Sequence, residues 1–374
     1  MDWPEVTELR DITITPLLGP SSKGSLALAA DPPSPALQHF RYGSQESALK
    51  IQPLDTDSTP PAIVVEDPII YGGLLFRHFG HALTESIHRL WPRYALKELH
   101  RAKVAFNLVN NTKIMPYVTE ALNLHGLSKS DVFPITEPVL FKRLFVGQQA
   151  RTLAGPTTIP RYRTMLDRDH SRRLPPPAGE RRLYVSRLHH HHTGSYYGES
   201  FVEHALVEEG FDVVHPENHS LTDFVIMLRN SRMAVFAEGS AIHALELCGS
   251  HVPEVAVISR RPVSMQRFSP LLFDICDRWM ISEQLRTTAG MALDVKKHSG
   301  LLELPAVMRD LRDFADLSSD FDQRRAEMVR AVEDDVERHI ADPRNERTDD
   351  YEARADELRR TARKMVSLEG RRAA

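Results

Sequence analysis

Four side chains that can bind a metal or move a proton, His78, His81, Glu85 and His88, recur at spacings of three, four and three residues. In a helix that pattern places them on one stripe. Histidine and carboxylate ligands suit zinc or iron, and a metal-dependent hydrolase is one reading of such a stripe. Against it, a single helix cannot easily wrap a tetrahedral ion with all four, and the HExxH pattern of helical zinc hydrolases is absent. A further run, His189 to His192, could add ligands from elsewhere or bind metal adventitiously. A second constellation is built for anions. The apolar run Met233 to Ala237 reads as a buried strand, Glu238-Gly239-Ser240 turns the chain, and Ala241 to Cys248 reads as a helix stopped by Gly249. Glycine lets the backbone come close to a ligand, and the first helical N–H groups point at it. His243 falls in the first helical turn, placed to donate to a phosphate or to pack.

These residues need elements to hold them. Residues 1–60 are rich in Pro, Ser and Asp and are expected to form an irregular leader with a few short strands. Strands are expected at Ala62 to Val65, Ile69 to Tyr71, Val104 to Val109 and Val139 to Val146, with Gly72-Gly73 breaking the pattern. Helices are expected from Phe79 to His100, bent or split at Pro92, and from Met115 to Leu124. The prolines of Arg172-Arg173-Leu174-Pro175-Pro176-Pro177 predict an extended connector between two domains, 61–170 and 180–300. In the second domain strands Arg182 to Ser186, Phe211 to Val214, Met233 to Ala237 and Val255 to Ile258 alternate with helices Ser200 to Glu209 and Leu221 to Asn230. That order suits a doubly wound nucleotide-binding domain. Residues 305–374 read as a charged helical extension of two helices broken near Asp342-Pro343, a solvated tail or a coil against a partner chain.

The chain has 374 residues, enough for two domains, with 41% hydrophobic and 26% charged residues. A net charge of -4 gives no reason to expect nucleic-acid binding. Cys248 and Cys276 are the only cysteines; both read as buried free thiols, consistent with a reducing compartment. No run is long enough to span a membrane, and the first residues lack the features of a signal peptide. A cytoplasmic protein is expected, with room for peripheral contact at the inner face of a membrane and for self-association through the C-terminal helices.

Two blocks resemble glycosyltransferase family 61, which includes capsular-polysaccharide biosynthesis proteins. The first is His78-Phe79-Gly80-His81-Ala82-Leu83-Thr84-Glu85-Ser86-Ile87-His88-Arg89-Leu90-Trp91. The second runs from Leu183-Tyr184-Val185-Ser186-Arg187 through Gly210-Phe211-Asp212-Val213-Val214-His215-Pro216-Glu217 to Glu238-Gly239-Ser240-Ala241-Ile242-His243. After Arg187, relatives often carry an Arg and an Asn-Glu pair; here Glu199 is the candidate counterpart of that glutamate. The resemblance implies an α/β, GT-B-like fold of two facing Rossmann-like domains, a nucleotide-sugar donor, a glycan or polysaccharide acceptor, and inversion at the transferred hexosyl or pentosyl carbon.

Under that implication, developing negative charge on a nucleoside diphosphate must be stabilised. Arg187, just past a strand end, can grip phosphate oxygens bidentately. Gly239 and Ser240 offer backbone donors, His243 one more, and Glu217 could accept from ribose hydroxyls. An inverting transfer also needs a base. His81, oriented by Glu85 one helical turn away, suits that role, with Glu85 itself the other candidate. Arg89 could touch donor phosphate or acceptor, or pair with Glu85. No cofactor and no essential metal are expected. The alternatives are the metal-dependent hydrolase above, a non-catalytic glycan- or nucleotide-binding scaffold, and a metal-dependent single-domain transferase. The last needs Asp-x-Asp after a strand; Asp55-Thr56-Asp57 and Asp167-Arg168-Asp169 have the letters but not that context.

Overall fold

The computed structural model describes residues 4–19, 26–41, 48–109, 113–153, 155, 159, 161–170, 172–177 and 179–372; the side chains of Asp169 and of 367–372, and Ser171 and Ala178 of the proline-rich connector, lie outside the described residues. The chain divides into two compact units. The first comprises 1–176 with 220–226 and 243–251, and the second 177–219, 227–242 and 252–374.

The first unit is built on one mixed sheet. Its strands are β1 (Val6–Ile14), β2 (Leu26–Asp31), β3 (Leu49–Pro53), β4 (Ile63–Val65), β5 (Ile69–Leu75), β6 (Lys103–Leu108), β7 (Val132–Ile135) and β8 (Val139–Gly147). They lie in the order β3-β2-β1-β8-β5-β6-β7, with β4 also on β8. The described part of residues 1–60 is therefore built on three strands of this sheet, not an irregular leader. β1 runs antiparallel to β8 from Val6 opposite Gly147 to Ile14 opposite Val139, and Ile12, Ile14 and Leu28 are buried with Tyr71, Phe141 and Leu144. Composition hid these strands because exposed polar residues such as Arg10, Asp11, Lys50 and Gln52 are interleaved with the buried ones. β5 likewise continues through Gly72-Gly73 instead of breaking. The register against β6 shifts between Tyr71 and Gly73, and Gly73 takes a positive φ of 85°, a bulge that glycine adopts without strain.

The helix expected from Phe79 to His100 is replaced by short turns. A single α-turn, Phe79–His81, passes into a π-turn, Ala82–Ser86; a short helix, Pro92–Ala95, and a 3-10 turn, Lys97–Leu99, follow. Thr84, Glu85, Ser86, His88 and Arg89 are all buried. A regular amphipathic helix needs a solvent face, and residues 82–92, all buried, have none.

Arg89 explains part of that burial. Its Nη1 donates to the carbonyls of Ala36 (3.1 Å) and Gly147 (3.0 Å), and its Nη2 donates to the carbonyl of Gln38. It thus ties β8 to the segment between β2 and β3; it is buried, and its donors go to backbone carbonyls, not to Glu85. Burial pulls its pKa down to about 10. Arg89→Met leaves three carbonyls without donors, each worth about 1–3 kcal/mol when buried and unsatisfied. The expected loss is about 3 kcal/mol or more, read as a lower urea midpoint at constant m-value; an unchanged midpoint refutes the role.

The second unit carries an all-parallel sheet of β9 (Arg181–Val185), β11 (Asp212–Val214), β12 (Ser231–Ala237), β13 (Glu254–Ile258) and β14 (Trp279–Ser282), in the order β11-β9-β12-β13-β14. That is the 2-1-3-4-5 order of a doubly wound domain, with its switch point between β9 and β12. A smaller sheet joins β10 (Tyr196–Tyr197), β16 (Ser299–Leu302) and β15 (Leu285–Ala289). The C-terminal helices, Leu304–Ala315, Arg325–Ala341 and Tyr351–Arg372, are no solvated tail. Leu304, Val307, Leu311, Val332, Val336, Ala355, Leu358 and Ala362 join the core that also holds Tyr184, Val235 and Ile258. Most of their charges occupy the outer faces, as in Arg359 with Glu337 at 2.7 Å, while Asp335 is buried and accepts from the Gly198 N–H at 2.8 Å. The break at Asp342-Pro343 is present, since the middle helix ends at Ala341 and the last begins at Tyr351.

Candidate functional site

In the first unit Glu85 is the centre of a buried charge cluster. Its Oε1 lies 2.6 Å from His81 Nδ1, and its Oε2 lies 2.9 Å from His39 Nε2. Arg41 donates to both oxygens, from Nε to Oε2 and from Nη2 to Oε1, each at 3.1 Å. Glu85 is wholly buried, whereas His81 and Arg41 are each 30% exposed, so these two are the members of the set that a second molecule can reach. Burial alone would raise the Glu85 pKa, but hydrogen bonds from His39 and His81 and the Arg41 charge hold it below the usual carboxylate range. Arg41 Nη2 also approaches both His81 ring nitrogens, Nδ1 at 2.9 Å and Nε2 at 3.3 Å; a carboxylate on Nδ1 favours the tautomer with the proton there, which leaves the Nε2 lone pair as the acceptor. His39 and Arg41 were missed in the sequence, where they lie far from His81 with no motif to mark them.

The histidine stripe does not assemble as a metal site. His78 and His81 have ring centroids 5.1 Å apart, but His88 turns elsewhere, its Nε2 2.8 Å from Glu246 Oε2. Glu246 also meets Arg151 Nε at 3.6 Å and His243 Nδ1 at 3.6 Å. Burial pushes Glu246 up, yet the His88 charge, hydrogen bonds from His243 and His88, and the Arg151 charge bring it down to about 2. His243 therefore sits in an internal ion-pair set of the first unit. Of the Asp-x-Asp triplets, the first shapes a turn just past β3 and the second begins inside the helix Arg161–His170. Asp55 accepts from the Asp57 and Ser58 backbone N–H groups (3.1 and 3.4 Å), and Asp167 accepts from the Ser250 N–H at 2.7 Å.

In the second unit Arg187 follows β9 and Gly239 follows β12, on the two sides of the switch point. A Cβ on Gly239 would lie 2.5 Å from Arg187 Nη1, so the guanidinium rests directly on that glycine. Arg187 Nε and Nη2 donate to the Gly194 carbonyl at 3.3 and 3.0 Å. Gly194 has φ 93°, and a Cβ there would meet Arg260 Nη1 at 2.3 Å. Two guanidiniums thus converge on one loop position. Ser240 opens a 3-10 helix, Ser240–Leu247, in place of the expected α-helix.

Two buried glutamates fix these loops. Glu199 accepts from the Arg187 backbone N–H (2.6 Å), Tyr184 Oη (3.0 Å), Ser186 Oγ (3.2 Å) and Ser195 Oγ. Burial pushes its pKa up to about 7, against the hydrogen bonds from Ser195, the Arg187 N–H and Tyr184. Glu238 accepts from the Arg260 N–H (2.8 Å), Arg261 Nε (2.7 Å) and Ser264 Oγ. Burial would raise it too, but Arg261 and Arg260 hold its pKa below the usual value. Burial and the neighbouring Arg261 charge lower Arg260 to about 9. Arg260 and Arg261 were missed, although two arginines just past an apolar strand are a readable signal.

Glu217 is engaged by histidines, with His189 Nδ1 on Oε1 and His190 Nε2 on Oε2, each at 3.2 Å. His191 is buried, its ring stacked on Tyr197 at 5.5 Å and on His339 at 5.7 Å. Tyr197 Oη lies 2.7 Å from His339 Nδ1. Burial is the first cause that lowers His191 to about 3 and His339 to about 4. A histidine with a depressed folded pKa binds fewer protons folded than unfolded, so its stabilising contribution is present above pH ~6.5 and is lost as pH falls towards the folded value. Stability should therefore drop between pH 6 and 4.5, before most carboxylates titrate, by about 1.4 kcal/mol per pH unit for each such proton. His191→Phe, which keeps a stacked ring, should make the fall shallower by about one proton's slope in thermal unfolding across that range. An identical slope would show that His191 does not stay neutral.

The protein is thus a mixed α/β protein, and no helix among the described residues is long and apolar enough to cross a membrane. Residues 79–252 match the family model Glycosyltransferase 61, and this stretch of the chain is a glycosyltransferase family 61 region. The match covers both resembling blocks from Phe79 onward, with Arg187, Glu199, Gly239 and Ser240 inside it. No curated protein matches the sequence significantly.

Proposed function

We propose that the chain is an inverting glycosyltransferase of the GT-B type, moving a hexosyl or pentosyl group from a nucleotide-sugar to a glycan or polysaccharide such as a capsule precursor. The observation that carries this reading is the Arg187 guanidinium on Gly239 at the switch point of the parallel sheet, with Arg260 and Arg261 following the next strand. Open α/β sheets bind ligands at that place. Guanidiniums match phosphate oxygens in geometry and charge.

In the proposed reaction His81 Nε2 takes the proton of an acceptor hydroxyl, whose oxygen forms a bond to the anomeric carbon. The bond from that carbon to the diphosphate oxygen breaks on the opposite side, and the electron pair leaves with the diphosphate. Arg187, with Arg260 and Arg261, stabilises that charge, and the Gly239-Ser240 backbone adds donors. Glu85 keeps His81 in the useful tautomer and balances the imidazolium. Arginines can carry the leaving-group charge, so the chemistry is not expected to require a metal. Cytoplasmic placement, where nucleotide-sugars are made, fits the same reading.

Binding and chemistry separate by mutation. Calorimetry with UDP, GDP and CDP in EDTA should show one of them binding. Arg187→Ala should weaken it by about tenfold to a hundredfold, the equivalent of losing a charge-assisted hydrogen-bond pair. His81→Ala should leave that affinity intact and lower kcat by about 10²–10⁴. Absence of binding by every nucleoside diphosphate would overturn the donor reading; full turnover by His81→Ala would remove the base.

A further inference from the structure

The histidine run and the His215-Pro216-Glu217 turn are not used by the transfer chemistry, yet they meet. Among the described residues, one ligand atom each from His189, His215 and Glu217 gather within 4.8 Å of one another. The His189 and His215 rings stack at 4.3 Å with an 18° interplanar angle. We propose that His189, His215 and Glu217 form a site for a zinc-type divalent cation that clips the loop after β9 to the loop after β11.

The donor set is two imidazoles and one carboxylate, the set that favours zinc and its neighbours over magnesium or calcium. Geometry agrees. With bonds of about 2.0–2.1 Å, tetrahedral ligands sit about 3.3 Å from one another, and His189 Nδ1 is already 3.2 Å from Glu217 Oε1. Converging the two imidazole lone pairs on one ion takes rotation of the His189 ring out of its stack on His215 and a smaller movement of Glu217, both residues being exposed. His215 is the anchored member. Its Nδ1 is buried without a hydrogen-bond partner among the described residues, while its Nε2 lies 3.8 Å from Glu203 Oε1. Glu203 is in turn held by Ser186 Oγ at 2.8 Å. A carboxylate behind a histidine is the usual outer support of a metal ligand, and closing this 3.8 Å gap to hydrogen-bond distance on metal binding would fix the ring and its tautomer. His190, on the other oxygen of Glu217, is placed to hold that carboxylate or to take the fourth position, which is otherwise left to water.

This site is separate from the diphosphate contacts, although Arg187 precedes His189 by two residues. A cation here would stiffen the loop that carries Arg187 without touching the reacting atoms. It does not rest on the transferase reading, because cation binding can be measured with no nucleotide present.

The test uses the whole chain, stripped with EDTA and dialysed, then titrated with Zn²⁺ against a chromophoric chelator, with thermal unfolding in parallel. One equivalent should bind and raise the unfolding midpoint. His215→Ala and Glu217→Gln should each weaken Zn²⁺ by about a hundredfold. Glu203→Gln, which removes only the support, should weaken it by about tenfold to a hundredfold. His204→Ala, a change at an exposed histidine paired with Glu208, should have no effect. If His215→Ala proves unstable in EDTA, Glu217→Gln, an exposed change, decides alone. Equal Zn²⁺ affinity in wild type and Glu217→Gln overturns the site. So does binding of several weak equivalents with no rise in the midpoint, which is adventitious binding by the histidine run.

Discussion

A guanidinium that must stay charged while half enclosed by protein sets the architecture around Arg187. It can lie flat against the turn after β12 only because position 239 has no side chain. Its own donors reach the Gly194 carbonyl because that residue takes a conformation open to glycine. Its backbone N–H is taken by Glu199, whose carboxylate sits at the start of the following helix. Each requirement falls on a different segment, so the positions of three loops follow from housing one cation. Glu238 does the equivalent work for Arg260 and Arg261, and the two glutamates together hold three arginines at the C-terminal edge of the parallel sheet.

The first unit solves the opposite problem, a buried anion. Glu85 has no access to water, and leaving a carboxylate there unpaired would cost far more than the fold can bear. His39, Arg41 and His81 remove that difficulty, and two of the three come from the segment joining β2 to β3. The same segment gives carbonyls to Arg89. The π-turn and the N-terminal strands are therefore one assembly; neither would keep its shape without the other. This gives physical content to the departure from regular helix, because a side chain that must meet partners on several sides cannot remain on a simple stripe.

How much of this was legible follows from range. The β9 to β13 succession, the glycine turn and the position of Arg187 after a strand are short-range patterns, and hydrophobic runs with turn residues announce them. The buried thiols of Cys248 and Cys276 were legible for the same reason. The partners of Glu85 were not, since His39 and Arg41 lie more than forty positions away in sequence and belong to a stretch whose composition looks like linker. β1 was hidden because its alternation is interrupted at Arg10 and Asp11, consecutive exposed residues where Asp11 takes a positive φ of 48°. Arg89 misled in a different way: its spacing from Glu85 suits a helical pair, but a buried guanidinium with carbonyls at hand has better partners than a carboxylate already satisfied.

The packing of the last helix carries a consequence for how the protein comes into being. Tyr351, Ala355, Leu358 and Ala362 fill the same core as strands β9, β12 and β13, although those strands leave the ribosome far earlier. Domains tend to fold in the order they are synthesised, and the second unit cannot complete its core in that manner. Its sheet must wait, with apolar surface uncovered, until the final helix has emerged. During that interval the nascent chain is a natural client for chaperones, and the speed of translation through residues 260–350 sets how long the exposure lasts.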